Sequence, residues 1–151
     1  MRESAENCVK NYKNAGLKIG KVQLSSAIEF DLEAKKDTSF IQNEQTYLHQ
    51  TTVQADDGIR FFDHYSDIPN EIKSGNCRVH FHVPIHKKQL GELHTTQHDL
   101  INSIPLLKEA GATDWEVETY TWSVTPEELQ EGELVTSITE ELAWASKQIS
   151  Q

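Results

Sequence analysis

Cys77-Arg78-Val79-His80-Phe81-His82-Val83-Pro84-Ile85 is the stretch that decides the fold class of this chain. With the two-residue period of a β-strand, Val79, Phe81 and Val83 fall on one face and Arg78, His80 and His82 on the other. Trp115–Val124 repeats the pattern: Glu116, Glu118, Tyr120 and Trp122 share one face, and Val117, Thr119 and Thr121 the other. A third run, Leu17–Leu24, carries apolar Leu17, Ile19, Val22 and Leu24, with Gln23 among them.

Helical patterns lie between and around these runs. Arg2–Ala15 has Ala5, Cys8, Val9 and Tyr12 at amphipathic spacing and Gly16 as its stop. Ser25-Ser26 predicts the cap of a second helix running to about Lys36. Thr95–Ala110 is the clearest helix, with Thr96 and Asp99 spaced as a capping box, a kink or break expected at Pro105, and Gly111 at its end. Leu134–Ile149 closes the chain with Leu142, Ala145 and Ile149 at core spacing. The Asp57-Gly58 turn between Tyr47–Gln54 and Ile59–Phe62 marks a β-hairpin, and Ser66-Asp67-Ile68-Pro69 opens a short helical segment. Strands separated by helices predict parallel βα units. The expected fold is therefore α/β: a partial TIM (β/α) barrel of about three parallel βα units with an inserted hairpin. A closed barrel takes eight such units and about 250 residues, so the 151 residues read as an incomplete barrel.

Composition narrows the function classes. With 36% hydrophobic and 25% charged residues the chain has an ordinary globular make-up. No run approaches the ~18–20 apolar residues of a membrane span, and the polar start Met1–Asn7 lacks a secretory core, so a cytoplasmic location is expected. Cys8 and Cys77 are too few for a disulfide framework and are expected as reduced thiols. A net charge of −10 with no Lys/Arg cluster argues against nucleic acid. Seven histidines are the compositional oddity.

The polar strand faces point to a site. A parallel sheet covered by helices should be apolar on both faces, whereas inward groups near strand ends form the active site of a TIM barrel. Imidazoles and carboxylates are the usual ligands of a divalent metal and the usual acid/base groups. His80 and His82 point the same way, about 6.6 Å apart on a strand. The alternative is that His80, Glu116 and Arg78 pair with one another as buried structural contacts. Gln23 would face the same space, and Tyr120 and Trp122 would either stack on a flat ligand or pack in the core. His49, His64 and His86 join the pocket if their loops fold over it. His94 and His98 read as a surface helix start, Cys8 as packing, and Gly16–Lys21 fails as a phosphate loop because no Ser/Thr follows Lys21 and a strand comes next.

Four segments in order resemble a known family: Gly20–Ala27, Tyr47-Leu48-His49-Gln50, Cys77–Pro84 and Glu116–Trp122. They are similar to the C-terminal third of EboE-type metabolite traffic proteins, which resemble the xylose-isomerase-like TIM-barrel superfamily of sugar phosphate isomerases and epimerases. The resemblance implies that residues 1–151 are a C-terminal barrel segment, inactive alone and dependent on an N-terminal barrel half or on self-association. It implies a divalent metal (Mn, Mg or Zn) held by Glu118, His80 and His82, because Gln23 stands where the enzymatic relatives place a histidine. Glu118 and His82 would be the catalytic groups, and Gln23, Arg78, Tyr120 and Trp122 would contact a sugar or other small metabolite. The alternative implied function is non-catalytic metabolite binding or transport in the same pocket. A third possibility is an interaction module, with Lys18–Leu24 as an open edge strand.

Overall fold

The chain is described by a computed structural model covering residues 2–34, 36–44, 47–81, 83–118 and 133–151. Its central strand is β5 (Asn76–Val79), flanked by β2 (Ile28–Asp31) and β3 (Thr51–Ala55), both antiparallel to it. Outward from β3 lies β4 (Gly58–Phe62), and outward from β2 lie β7 (Leu93–Thr95) and β6 (Gln89–Leu90). Every pairing in this six-stranded sheet is antiparallel. A separate two-stranded sheet joins β1 (Val22–Leu24) to β8 (Trp115–Val117) in parallel.

This topology overturns the partial TIM barrel. Three parallel βα units require a helix after β1, and none forms there. Ser26 and Ala27 are instead tied to Thr96: the Thr96 hydroxyl accepts the Ala27 N–H at 2.9 Å and lies 3.4 Å from the Ser26 hydroxyl. Ile28 and Phe30 then enter the core with the period of a strand, and Glu29 takes the opposite face. The expected helix over Ser25–Lys36 is thus β2, and β5 pairs with it rather than with β1. β1, expected as an open edge, is covered on one side by β8.

Local signals succeeded where their partners are near in sequence. The hairpin forms, with Ala55 opposite Gly58 across Asp56-Asp57. Helix α1 (Ala5–Asn14) is capped by the Ser4 hydroxyl and closes through Leu17 N–H to the Tyr12 carbonyl at 2.9 Å. Helix α2 (Ser39–Asn43) and the 3₁₀ turn Tyr65–Asp67 are short connectors. Helix α3 (Gln97–Glu109) runs unbroken through Pro105, and helix α4 spans Leu134–Ser150. The capping box of α3 does not form, because both members serve distant partners: Thr96 binds Ala27 and Asp99 binds Arg78. On α4 the buried stripe is Ser137, Glu141 and Ala145, and Leu142 is exposed.

The six-stranded sheet has two unlike faces. Ile28, Phe30, Val53, Cys77 and Val79 lie on one, packed with Ile41, Phe81, Val83 and Leu93 into the main core. Gly75, just before β5, has φ 123° and passes so close to β3 that a Cβ there would meet the Gln54 carbonyl oxygen at 2.7 Å, so glycine is required. A smaller core of Leu24, Ile85, Ile104 and Ala145 lies where β1 and β8 meet α3 and α4.

The other face is polar, in register across Thr52, Arg78, Glu29 and His94. Arg78 donates to Glu29 at 2.8 Å and to Asp99 of α3 at 2.7 Å, and is only 12% exposed. Arg2 binds Thr52, Gln54 and Asn76 beside it. Burial and the Arg78 charge hold the Arg2 pKa below its usual value. Removing one member of such a set strands the others in a poorly solvated position. Arg78→Ala is therefore expected to lower the free energy of urea unfolding by about 3 kcal/mol, whereas Lys36→Ala, which breaks the surface pair with Glu92, leaves it unchanged. An Arg78→Ala loss below about 1 kcal/mol would show that the network is not holding α3 to the sheet.

Candidate ligand-binding site

The site begins where β5 ends. Phe81 N–H turns back to the Val79 carbonyl at 2.8 Å, a γ-turn with His80 at its centre. The expected strand over Cys77–Ile85 is regular only as far as Val79 for this reason. Phe81, Val83 and Ile85 remain buried, while the His80 side chain is partly open to solvent. Its N–H continues the ladder by one bond, to the Gln50 carbonyl at 2.8 Å.

From the other sheet, Glu118 N–H binds the Leu24 carbonyl at 3.0 Å and extends the β1–β8 ladder past its last strand residue. Its carboxylate reaches toward β5. Glu118 Oε2 lies 3.7 Å from His80 Nε2, with the Glu118 side chain 10% exposed and the His80 side chain 34% exposed. At that distance the two groups share no hydrogen bond. Among the described residues, no other side chain hydrogen-bonds either group. The two sheets thus meet in an imidazole–carboxylate pair with unused hydrogen-bonding capacity, open to water on the histidine side.

The other expected site residues divide. Arg78 belongs to the ion-pair network on the polar sheet face, with Glu29 and Asp99 as partners rather than the His80 and Glu116 expected from the sequence. Gln23 is exposed and sits in register with Glu116, which pairs with Lys21 at 2.8 Å at the surface. His82, Tyr120 and Trp122 lie outside the described residues. His86 contacts Glu140 at 3.6 Å, His98 contacts Asp99 at 3.2 Å, and the His64 main-chain N–H binds Asp67. Among the described residues no three His, Cys, Asp or Glu side chains gather as a metal site requires. His80 and Glu118 supply two candidate ligands.

Two acidic groups were not foreseen. Glu44 meets His49 at 2.5 Å, both side chains being under a tenth exposed. The sequence offers no periodicity across Glu44–His49 that would pair them. Glu141 accepts the Ile85 N–H at 2.9 Å, while Gln97 donates to the Ile85 carbonyl at 2.9 Å, so the turn after Val83 is gripped by α3 and α4 together. Its signal was available: Ser137, Glu141 and Ala145 are four residues apart, one helix face. Burial pushes the Glu141 carboxyl up to about 7, with the Ile85 hydrogen bond working against it. Burial likewise raises the Cys77 thiol to about 12, which makes it a poor nucleophile, and Cys8 is a second free thiol.

Compared with protein-family models, curated proteins and solved structures, the chain matches none. No helix among the described residues is long and apolar enough to cross a membrane.

The raised Glu141 value has a consequence for stability. The folded chain holds this proton more tightly than the unfolded chain does, so the group favours folding below its ordinary value of 4.5, and that advantage is lost as pH rises through about 7. Glu141→Gln keeps an acceptor for Ile85 and removes the charge. Thermal melts are expected to show it more stable than the parent at pH 8, on the order of 2 kcal/mol, and equal near pH 4. A variant less stable at pH 8 would mean that the charged hydrogen bond outweighs desolvation.

Proposed function

We propose that this chain binds a polar small-molecule metabolite of the sugar class, with His80 and Glu118 as the pair that grips its hydroxyl groups. The observation that carries this reading is the 3.7 Å gap between His80 Nε2 and Glu118 Oε2. A half-exposed donor and a buried acceptor that do not satisfy each other can both be satisfied by one bridging hydroxyl. Such a pair would discriminate by hydrogen bonding more than by shape, because an analogue lacking the hydroxyl leaves the Glu118 carboxylate desolvated and unpaired. The resemblance of Cys77–Pro84 and Glu116–Trp122 to metabolite traffic proteins supports the ligand class. We place the protein in the cytoplasm, where Cys8 and Cys77 stay reduced.

The same pair favours a second reading. An imidazole beside a carboxylate is an acid/base couple, and an isomerase or epimerase needs a base for a proton α to a carbonyl and a donor for the oxygen that becomes negative. Glu118 would take the proton and His80 would donate to the oxygen. A divalent ion (Mn, Mg or Zn) held by the same two residues would supply the electrophile instead.

Calorimetric titration with a panel of monosaccharides and their phosphate esters tests the first reading. At least one member is expected to bind, and His80→Ala and Glu118→Gln are each expected to weaken it about tenfold or more, about 1.4 kcal/mol. Failure of the whole panel, or binding indifferent to both substitutions, would contradict it. Solvent deuterium appearing at the α carbon of a bound sugar phosphate, lost in Glu118→Gln, would select the isomerase reading.

A further inference from the structure

His80 is held by the segment that precedes β3. Gln50 takes its N–H through the Gln50 carbonyl at 2.8 Å, and its own carbonyl lies 3.4 Å from His49 Nδ1. A carbonyl only accepts, so Nδ1 of His49 carries a proton. On the far side of that ring, Nε2 meets Glu44 Oε2 at 2.5 Å. Both ring nitrogens of His49 are therefore committed, Nδ1 to the His80 carbonyl and Nε2 to the Glu44 carboxylate. The ring is 4% exposed and lies against Phe81, centroids 5.0 Å apart and planes 32° apart. Glu44 is further fixed by the Tyr47 N–H at 3.1 Å.

A buried imidazole–carboxylate pair is costly unless its geometry is fully used. What a hydrophobic residue at position 49 would not do is reach the main chain of His80. We infer that His49, oriented by Glu44, is a positioning residue for the His80–Glu118 site: it grips the γ-turn at His80 and so aims the His80 imidazole at Glu118. Carbonyl and N–H of His80 are then clamped by two successive residues, His49 and Gln50, while Val79 and Phe81 close the turn on either side. A γ-turn has only one internal hydrogen bond, so its central residue depends on such outside contacts for its direction. The electrostatics run the same way. The Glu44 charge polarises the His49 ring, and the polarised Nδ1–H strengthens the contact to the His80 carbonyl.

This inference rests on the reading of His80 and Glu118 as the ligand site, and its test needs no ligand. Two amide substitutions separate the ring nitrogens: His49→Asn retains a donor near Nδ1, and His49→Gln retains one near Nε2. In long-range ¹H–¹⁵N spectra of the full chain, His49→Gln is expected to shift the His80 ring signals and abolish the nuclear Overhauser contact between the His80 ring and the Glu118 methylenes. His49→Asn is expected to restore both in large part. Glu44→Gln, which keeps the shape and removes the charge, is expected to shift the His80 signals in the same direction, and it carries the test if His49→Gln does not fold. Unmoved His80 signals and an intact His80–Glu118 contact in either folded variant would overturn the inference. If the His80 signals move as expected while no sugar or sugar phosphate binds the parent, the positioning role stands and the ligand reading falls. If a panel member binds through His80 and Glu118 with equal strength in parent and folded His49→Gln, the ligand reading stands and the positioning role falls.

Discussion

A guanidinium buried on the central strand of a sheet must be neutralised where it stands, and Arg78 is that group. Solvent reaches only 12% of its side chain, and two of its partners come from different directions: Glu29 from the neighbouring strand β2 and Asp99 from helix α3. An unpaired charge in that position would cost several kcal/mol, so strand β2 must lie beside β5 and α3 must lie across the sheet. The remaining architecture is compatible with that demand. The apolar side chains alternating with Arg78, Cys77 and Val79, define the opposite face as core, and Arg2 fastens the start of α1 to the same polar face.

The candidate site is a by-product of the same strand. β5 is regular only while it lies between β2 and β3, and its ladder ends at the γ-turn centred on His80. Two residues that strand alternation would put side by side thereby acquire separate tasks, Arg78 holding the sheet together and His80 facing the second sheet. The second sheet brings Glu118 in through the Leu24 carbonyl. A site at such a junction has one wall from each sheet, so a change in the angle between the sheets alters the 3.7 Å separation directly. The smaller core that joins them, with Ile85 gripped by Gln97 and Glu141, fixes that angle.

What the sequence made legible follows the range of the interactions. The hairpin, α1, α3, α4 and the apolar face of β5 depend on neighbours within a few residues, and their patterns are plain. The topology depends on contacts that span the chain. Ser25-Ser26 looks like a helix cap because serine hydroxyls commonly serve that purpose, but Ser26 and Ala27 find Thr96 seventy and sixty-nine residues away. Thr96 and Asp99 look like a capping box and are both engaged elsewhere. With β2 taken for a helix, parallel βα units were the natural reading, and the barrel followed from it. The polar strand faces suggested His80 and Glu116 as partners, but His80 lies 3.7 Å from Glu118 while Glu116 pairs with Lys21 at the surface, because the two strands are not neighbours in one sheet. Glu44 was invisible because neither helical nor strand periodicity relates it to His49. Arg78 was expected among ligand-contacting residues on the inner face of a barrel; in the antiparallel sheet it is ion-paired with Glu29, forty-nine residues away, and with Asp99.

The central claim is that an antiparallel sheet organised by Arg78 delivers His80 to Glu118 at the edge of a second, parallel sheet. Long-range nuclear Overhauser contacts in a uniformly labelled sample of the full chain test it in one data set. The account predicts cross-strand backbone contacts of Arg78 with both Glu29 and Thr52, in antiparallel register, together with contacts between the His80 ring and the Glu118 side chain. Parallel-register contacts between Val22–Leu24 and Asn76–Val79, with Arg78 distant from Glu29, would contradict it and restore the barrel.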